Sequence, residues 1–117
     1  MSASKKFRRV FRYKDYFDRF FNKQRTKVKE KIIWTLELIE DIEHVPEKYF
    51  KHLSDTDGLY EIRVKHGSDI YRIFCFFDYD KLVILMNGFQ KKTQKTPKRL
   101  IEQAKLMKKQ YEKEKSK

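Results

Sequence analysis

The chain has 117 residues, 39% hydrophobic and 39% charged, with ten Phe, seven Tyr and a net charge of +12. That composition predicts one domain over residues 1–117 and is too apolar for a disordered chain. No apolar run approaches the roughly 20 residues that a membrane-spanning helix needs, so a membrane partner is not expected. The first thirteen residues are basic and lack the apolar stretch of a secretory signal. The one cysteine, Cys75, lies in a predicted buried strand and reads as a core residue, which suits a reducing, cytoplasmic location.

Charge is unevenly distributed. Residues 1–13 carry five cations and no acid, and residues 90–117 carry eleven cations against three acids. Residues 36–57 reverse the sign, with seven acids against two lysines. Two basic ends around an acidic middle imply an oriented molecule with one face for a polyanion.

In chain order, residues 7–13 alternate as a mixed strand that would join the main sheet, since a lone strand leaves its backbone unsatisfied. Residues 14–22 place Tyr16, Phe17, Phe20 and Phe21 on one face of a short helix. Residues 24–45 form the longest helical pattern, with Val28, Ile32, Leu36 and Ile39 in one stripe. Ile33, Trp34, Leu38 and Ile42 widen that stripe, and Pro46 ends the pattern. Residues 46–58 read as a connector ending in Asp55-Thr56-Asp57-Gly58.

The stretch 59–97 organises the rest. Its first strand sets Tyr60, Ile62 and Val64 against Glu61, Arg63 and Lys65. Two near-continuous apolar strands follow, about 70–77 and 82–89, joined by the turn Asp78-Tyr79-Asp80 and expected to be covered on both faces. Thr96-Pro97 signals a helix start, with the Thr96 hydroxyl as N-cap. Leu100, Ile101, Ala104, Met107 and Tyr111 then form the apolar stripe, and fraying is expected from about Glu112. The predicted order is β-α-α-β-β-β-α. This is an α+β fold in which helices cover one face of a small antiparallel sheet with a mixed edge.

Metal chemistry is not expected, because His44, His52 and His66 lie far apart with no cysteine or carboxylate at ligand spacing. The three glycines are scattered, so there is no phosphate loop, and no cofactor is implied. What remains is the cation set Arg63, Lys65, Arg72, Lys91, Lys92 and Lys95, interleaved with Phe74, Phe76, Tyr79 and Phe89. Cations hold phosphate and aromatics stack bases, a combination suited to single-stranded or loop RNA. Phe74 and Phe76 read as core. Arg72 is a lone charge inside IYRIFCFF, so it either lies at the mouth of a cleft or is paired, with Glu61 or Asp69 as the candidates.

These residues carry a resemblance. LYEIRV, then IYRIFCFF, then VILMNGFQKKTQKTP and a helix containing Ala104 resemble the RelE/ParE toxin superfamily of type II toxin–antitoxin systems, in its HigB-like branch. The similarity covers roughly residues 59–104. It implies a RelE-like fold and a ribosome-dependent endoribonuclease (an mRNA interferase) that cuts mRNA in the A site without a metal, using the ribose 2′-OH as nucleophile. Carried over, it assigns Arg63, Lys65, Arg72, Lys91 and Lys92 to catalysis, and Lys95, Asn87, Phe89 and Tyr79 to RNA binding. Asn87 stands where many relatives have histidine, which leaves proton transfer to lysine, Tyr79 or the ribosome. The resemblance also implies a HigA-like helix-turn-helix antitoxin as partner, besides the ribosome and mRNA. Two alternatives stay open: a ParE-like inhibitor of DNA gyrase, and an RNA-binding module without catalysis.

Overall fold

A computed structural model describes residues 6–116. The elements are β1 (Arg9–Arg12), α1 (Tyr16–Asn22), α2 (Thr26–Asp41), β2 (Phe50–His52), β3 (Leu59–His66), β4 (Asp69–Phe77), β5 (Leu82–Lys91) and α3 (Lys98–Lys115). The five strands form one sheet in the order β1-β5-β4-β3-β2, with β1 parallel to β5 and every other pairing antiparallel. This is a small α+β fold with a mixed sheet, consistent with a RelE-like architecture.

The basic N-terminal strand joins this sheet, as its backbone requires. The connector holds a strand the sequence did not reveal, because three residues are too few to show a period. Tyr60 and Phe50 stack at 4.9 Å across the β2–β3 pair.

Two apolar layers sandwich the sheet. On one side α1 and α2 bring Phe17, Phe20, Val28, Ile32 and Ile39 onto Ile62, Ile73, Cys75 and Leu85. On the other, Ala104 of α3, flanked by Leu100, Met107 and Tyr111, meets Leu59, Phe74, Phe76, Ile84 and Met86. The expectation that helices cover one face is therefore corrected. β4 is apolar on both faces, and leaving one of them in water would expose Phe74 and Phe76.

The narrow stripe of α2 is buried as expected, and Thr35 joins it by donating its hydroxyl to the Lys31 carbonyl at 2.8 Å. Ile33 and Trp34 lie outside it, each 44% exposed. The helix ends at Asp41, before Val45 and Pro46 are reached, because Ile42 turns extended. Arg8 caps that end, donating to the carbonyls of Ile39 at 3.0 Å, Ile42 at 2.7 Å and Glu43 at 2.6 Å.

Two features of β5 shape the site. Between the pairs Ile73–Gly88 and Cys75–Leu85, two β5 residues (Met86 and Asn87) oppose Phe74 alone, a β-bulge. At Gly88 a Cβ would fall 2.5 Å from Phe20 Cδ2, so glycine there admits the α1 ring against the strand. α3 stays helical through the segment expected to fray. Tyr111 and Lys115 both donate to Asp78, and the Tyr13 hydroxyl donates to Glu114 at 2.7 Å.

Candidate functional site

Register brings the cations together. Arg63 lies opposite Arg72 on β4, and Arg72 lies opposite Phe89 on β5. The next row along the strands is Lys65, Ile70 and Lys91. Side chains two apart on a strand share a face, so both rows project on the α3 side, beyond the part of the sheet that α3 covers.

At the centre of this face sits Glu61, 2% exposed. Its Oε1 is 3.2 Å from Arg63 Nε and 3.3 Å from Arg72 Nε, and its Oε2 accepts the Thr96 hydroxyl at 3.2 Å. The Arg63 contact is an aligned hydrogen bond. The Arg72 contact is an ion pair by distance without hydrogen-bond alignment, and Arg72 aims an Nη at the Tyr71 carbonyl at 3.1 Å. Arg72 is thus a paired cation, with Glu61 rather than Asp69. Asp69 instead takes Arg25 at 3.2 Å.

One carboxylate holds two guanidinium groups, so the cluster keeps a net positive charge. Burial lowers the Arg72 pKa, the Arg63 charge adds to that, and Glu61 opposes it. The group stays protonated regardless. Lys91 is also held below the usual lysine range, by burial first and then by the Arg72 charge, with Glu61 acting the other way. A lysine so placed surrenders its proton more easily than a free one.

The cluster opens into a groove of about 420 Å³, lined by Arg63, Lys65 and Arg72 together with Lys31, Lys48 and Tyr49. Lys91 and Lys92 border an adjoining depression that shares Ile70 with it. Lys92 and Lys95 are exposed on the segment leading to α3.

Three residues singled out from the sequence stand differently. Phe89 packs on Phe74 at 5.4 Å and borders the core. Asn87 sits at the bulge, its buried Oδ1 without a hydrogen-bond donor among the described residues. Tyr79 lies past the far end of β4, roughly 20 Å from Arg72 at the usual strand rise, beside Lys115 and the residue 6–9 segment. It is not brought to the cluster.

Thr96 is a member the sequence did not point to, and Glu61, expected only as a candidate partner of Arg72, also holds Arg63. Glu61 had a signal, since it shares a strand face with Arg63, but its burial depends on neighbours from β4 and the residue 92–97 segment. Thr96 was expected to cap α3. Instead Pro97 occupies the cap position with no side-chain hydrogen bond, and the Thr96 hydroxyl ties the segment to Glu61.

Residues 19–109 match the family model described as phage derived protein Gp49-like (DUF891). The chain belongs to this family, which lies within the RelE/HigB-like toxin superfamily of toxin–antitoxin systems. No curated protein matches it. Among the described residues no helix is long and apolar enough to cross a membrane.

Proposed function

We propose that this protein is the toxin of a type II toxin–antitoxin system and a ribosome-dependent mRNA endonuclease of the HigB type, acting in the cytoplasm. The observation that carries the reading is the row of Arg63 and Arg72 around the single carboxylate of Glu61, with Lys91 one row away. Two cations share one counter-charge, which leaves positive charge available for a phosphate.

The chemistry follows from these groups. Neutral Lys91 takes the proton of the ribose 2′-OH as O2′ attacks phosphorus. The O2′–P bond forms as the P–O5′ bond breaks, giving a 2′,3′-cyclic phosphate, and O5′ takes a proton from solvent to leave as the 5′-hydroxyl. Arg63 and Arg72 face the charge that builds on the phosphoryl oxygens. Lys65, Lys92 and Lys95 contribute attraction to the RNA backbone. The partner that silences the toxin is a helix-turn-helix antitoxin with an acidic surface, matched to the +12 charge.

Expression of the chain alone should arrest growth, and primer extension should show cuts within translated codons. Arg72→Ala and Lys91→Ala should remove both effects while the protein still melts cooperatively. DNA breaks with intact mRNA would overturn the reading in favour of gyrase poisoning.

A further inference from the structure

The groove is also lined by Tyr49, Lys48 and Lys31, which the chemistry above leaves unused. Tyr49 has its backbone fixed at both ends: its N–H donates to the Pro46 carbonyl at 2.9 Å and its carbonyl accepts the Arg63 N–H at 2.8 Å. The Trp34 ring packs edge-on against Tyr49 with centroids 5.5 Å apart, and Trp34 is 44% exposed. Each ring carries an ammonium group, with Lys31 Nζ 4.4 Å from the Trp34 centroid and Lys48 Nζ 5.1 Å from that of Tyr49. The β2–β3 ladder ends at the hydrogen bond from Arg63 to Tyr49, and Lys65, beyond it on β3, also lines the groove.

We infer that Tyr49, buttressed by Trp34, is a positioning residue that stacks one nucleobase of a single-stranded RNA whose adjacent phosphate lies on Arg63 and Arg72. The inference rests on the nuclease reading and adds a contact to the base. An aromatic face stacks any base, and a neighbouring ammonium group takes the phosphate beside it. Only an unpaired strand offers such a base, since duplex bases are stacked on one another. With Arg63, Arg72 and the Tyr49 ring all in its lining, the groove offers a contact to each half of a nucleotide.

Trp34 is the only tryptophan in the chain, so the emission comes from the ring packed against Tyr49. The probes are a single-stranded RNA hexamer and an abasic hexamer of the same charge, titrated into the full chain. The expected result is strong quenching by the base-bearing strand and little by the abasic one. Tyr49→Ala should weaken binding of the base-bearing strand about tenfold and change abasic binding less than about twofold, whereas Tyr49→Phe should bind like the parent.

Equal quenching by both strands, an equal loss of both in Tyr49→Ala, no binding of either, or comparable quenching by an acidic peptide would overturn the inference. Cleavage of translated mRNA, read separately by primer extension, tests the parent reading. Cuts that persist while the stacking signature is absent reject the stacking role alone. A stacking signature without cuts rejects the nuclease and leaves an RNA-binding groove.

Discussion

Arg63 and Arg72 face one another directly across β3 and β4, two guanidinium groups in one cross-strand pair. Like charges so placed are destabilising unless a counter-charge intervenes. Glu61 supplies it within 3.3 Å of both, at 2% exposure. The carboxylate therefore has a structural task, and the arginines remain charged and oriented at the groove.

This arrangement predicts non-additive stabilities. Arg63→Ala or Arg72→Ala alone leaves Glu61 one guanidinium and the Thr96 hydroxyl, and should cost about 1–2 kcal/mol. Removing both strands a buried carboxylate, which costs about 3–5 kcal/mol. Chemical denaturation of the four proteins in the cycle should show the double variant falling about 1 kcal/mol or more below the sum of the singles. Additive losses would mean that Glu61 does not depend on the pair.

Lys91 predicts a pH dependence of cleavage. A lysine base works when neutral, so the rate rises as pH climbs toward its pKa. Burial and the Arg72 charge lower that pKa, which moves the rising limb below that of an ordinary lysine. Arg72→Gln removes the charge contribution and should shift the limb to higher pH, besides slowing the reaction. Lys91→Arg should be inactive at every pH, since arginine does not deprotonate. Single-turnover cleavage on translating ribosomes measures both. An unshifted limb in Arg72→Gln would remove Lys91 as the base.

Much of this fold was legible because it is written in local periods. The alternation of residues 60–65 and the apolar runs of β4 and β5 announced the strands, and the lone Arg72 within such a run announced a site. What stayed hidden depended on register or on contacts distant in sequence. The burial of Glu61 requires Arg63, Arg72 and Thr96 to converge from three segments. Tyr49 and Lys31 reach the groove only through tertiary packing, and Trp34 was counted as core because its helical position borders the buried stripe. Tyr79 looked like a site residue because it is close in sequence, yet a hairpin sends its turn to the opposite end of the sheet.

Gly88 offers a steric test of how the sheet meets α1. Its φ is not in the left-handed region, so the need for glycine comes from space: a methyl group would lie 2.5–2.8 Å from three ring carbons of Phe20. Phe20 is buried and has little room to retreat. Gly88→Ala should therefore destabilise by about 1–3 kcal/mol, seen as a lower melting temperature. Phe20→Leu in the same chain should recover part of that loss. A melt unchanged by Gly88→Ala would show that the ring moves freely and that the close approach is not specified.

At the C-terminal end of α3, charged residues hold the helix instead of letting it fray. Asp78, in the β4–β5 turn, accepts from the Tyr111 hydroxyl at 2.7 Å and from Lys115. The Lys115 hydrogen bond is the main cause holding the Asp78 pKa below its ordinary value; the Tyr111 hydrogen bond acts in the same sense, while burial opposes both. A carboxylate depressed in the folded state adds stability that is present above its unfolded pKa, about 3.9, and is lost as pH falls through the folded value. Asp78→Asn should accordingly melt below the parent at pH 7, with the gap closing as pH drops from about 5 toward 2. Lys115→Ala should reproduce part of the gap at pH 7, and Tyr111→Phe a further part. A gap of constant size across that range would assign the loss to packing of the turn and reject the charge clamp.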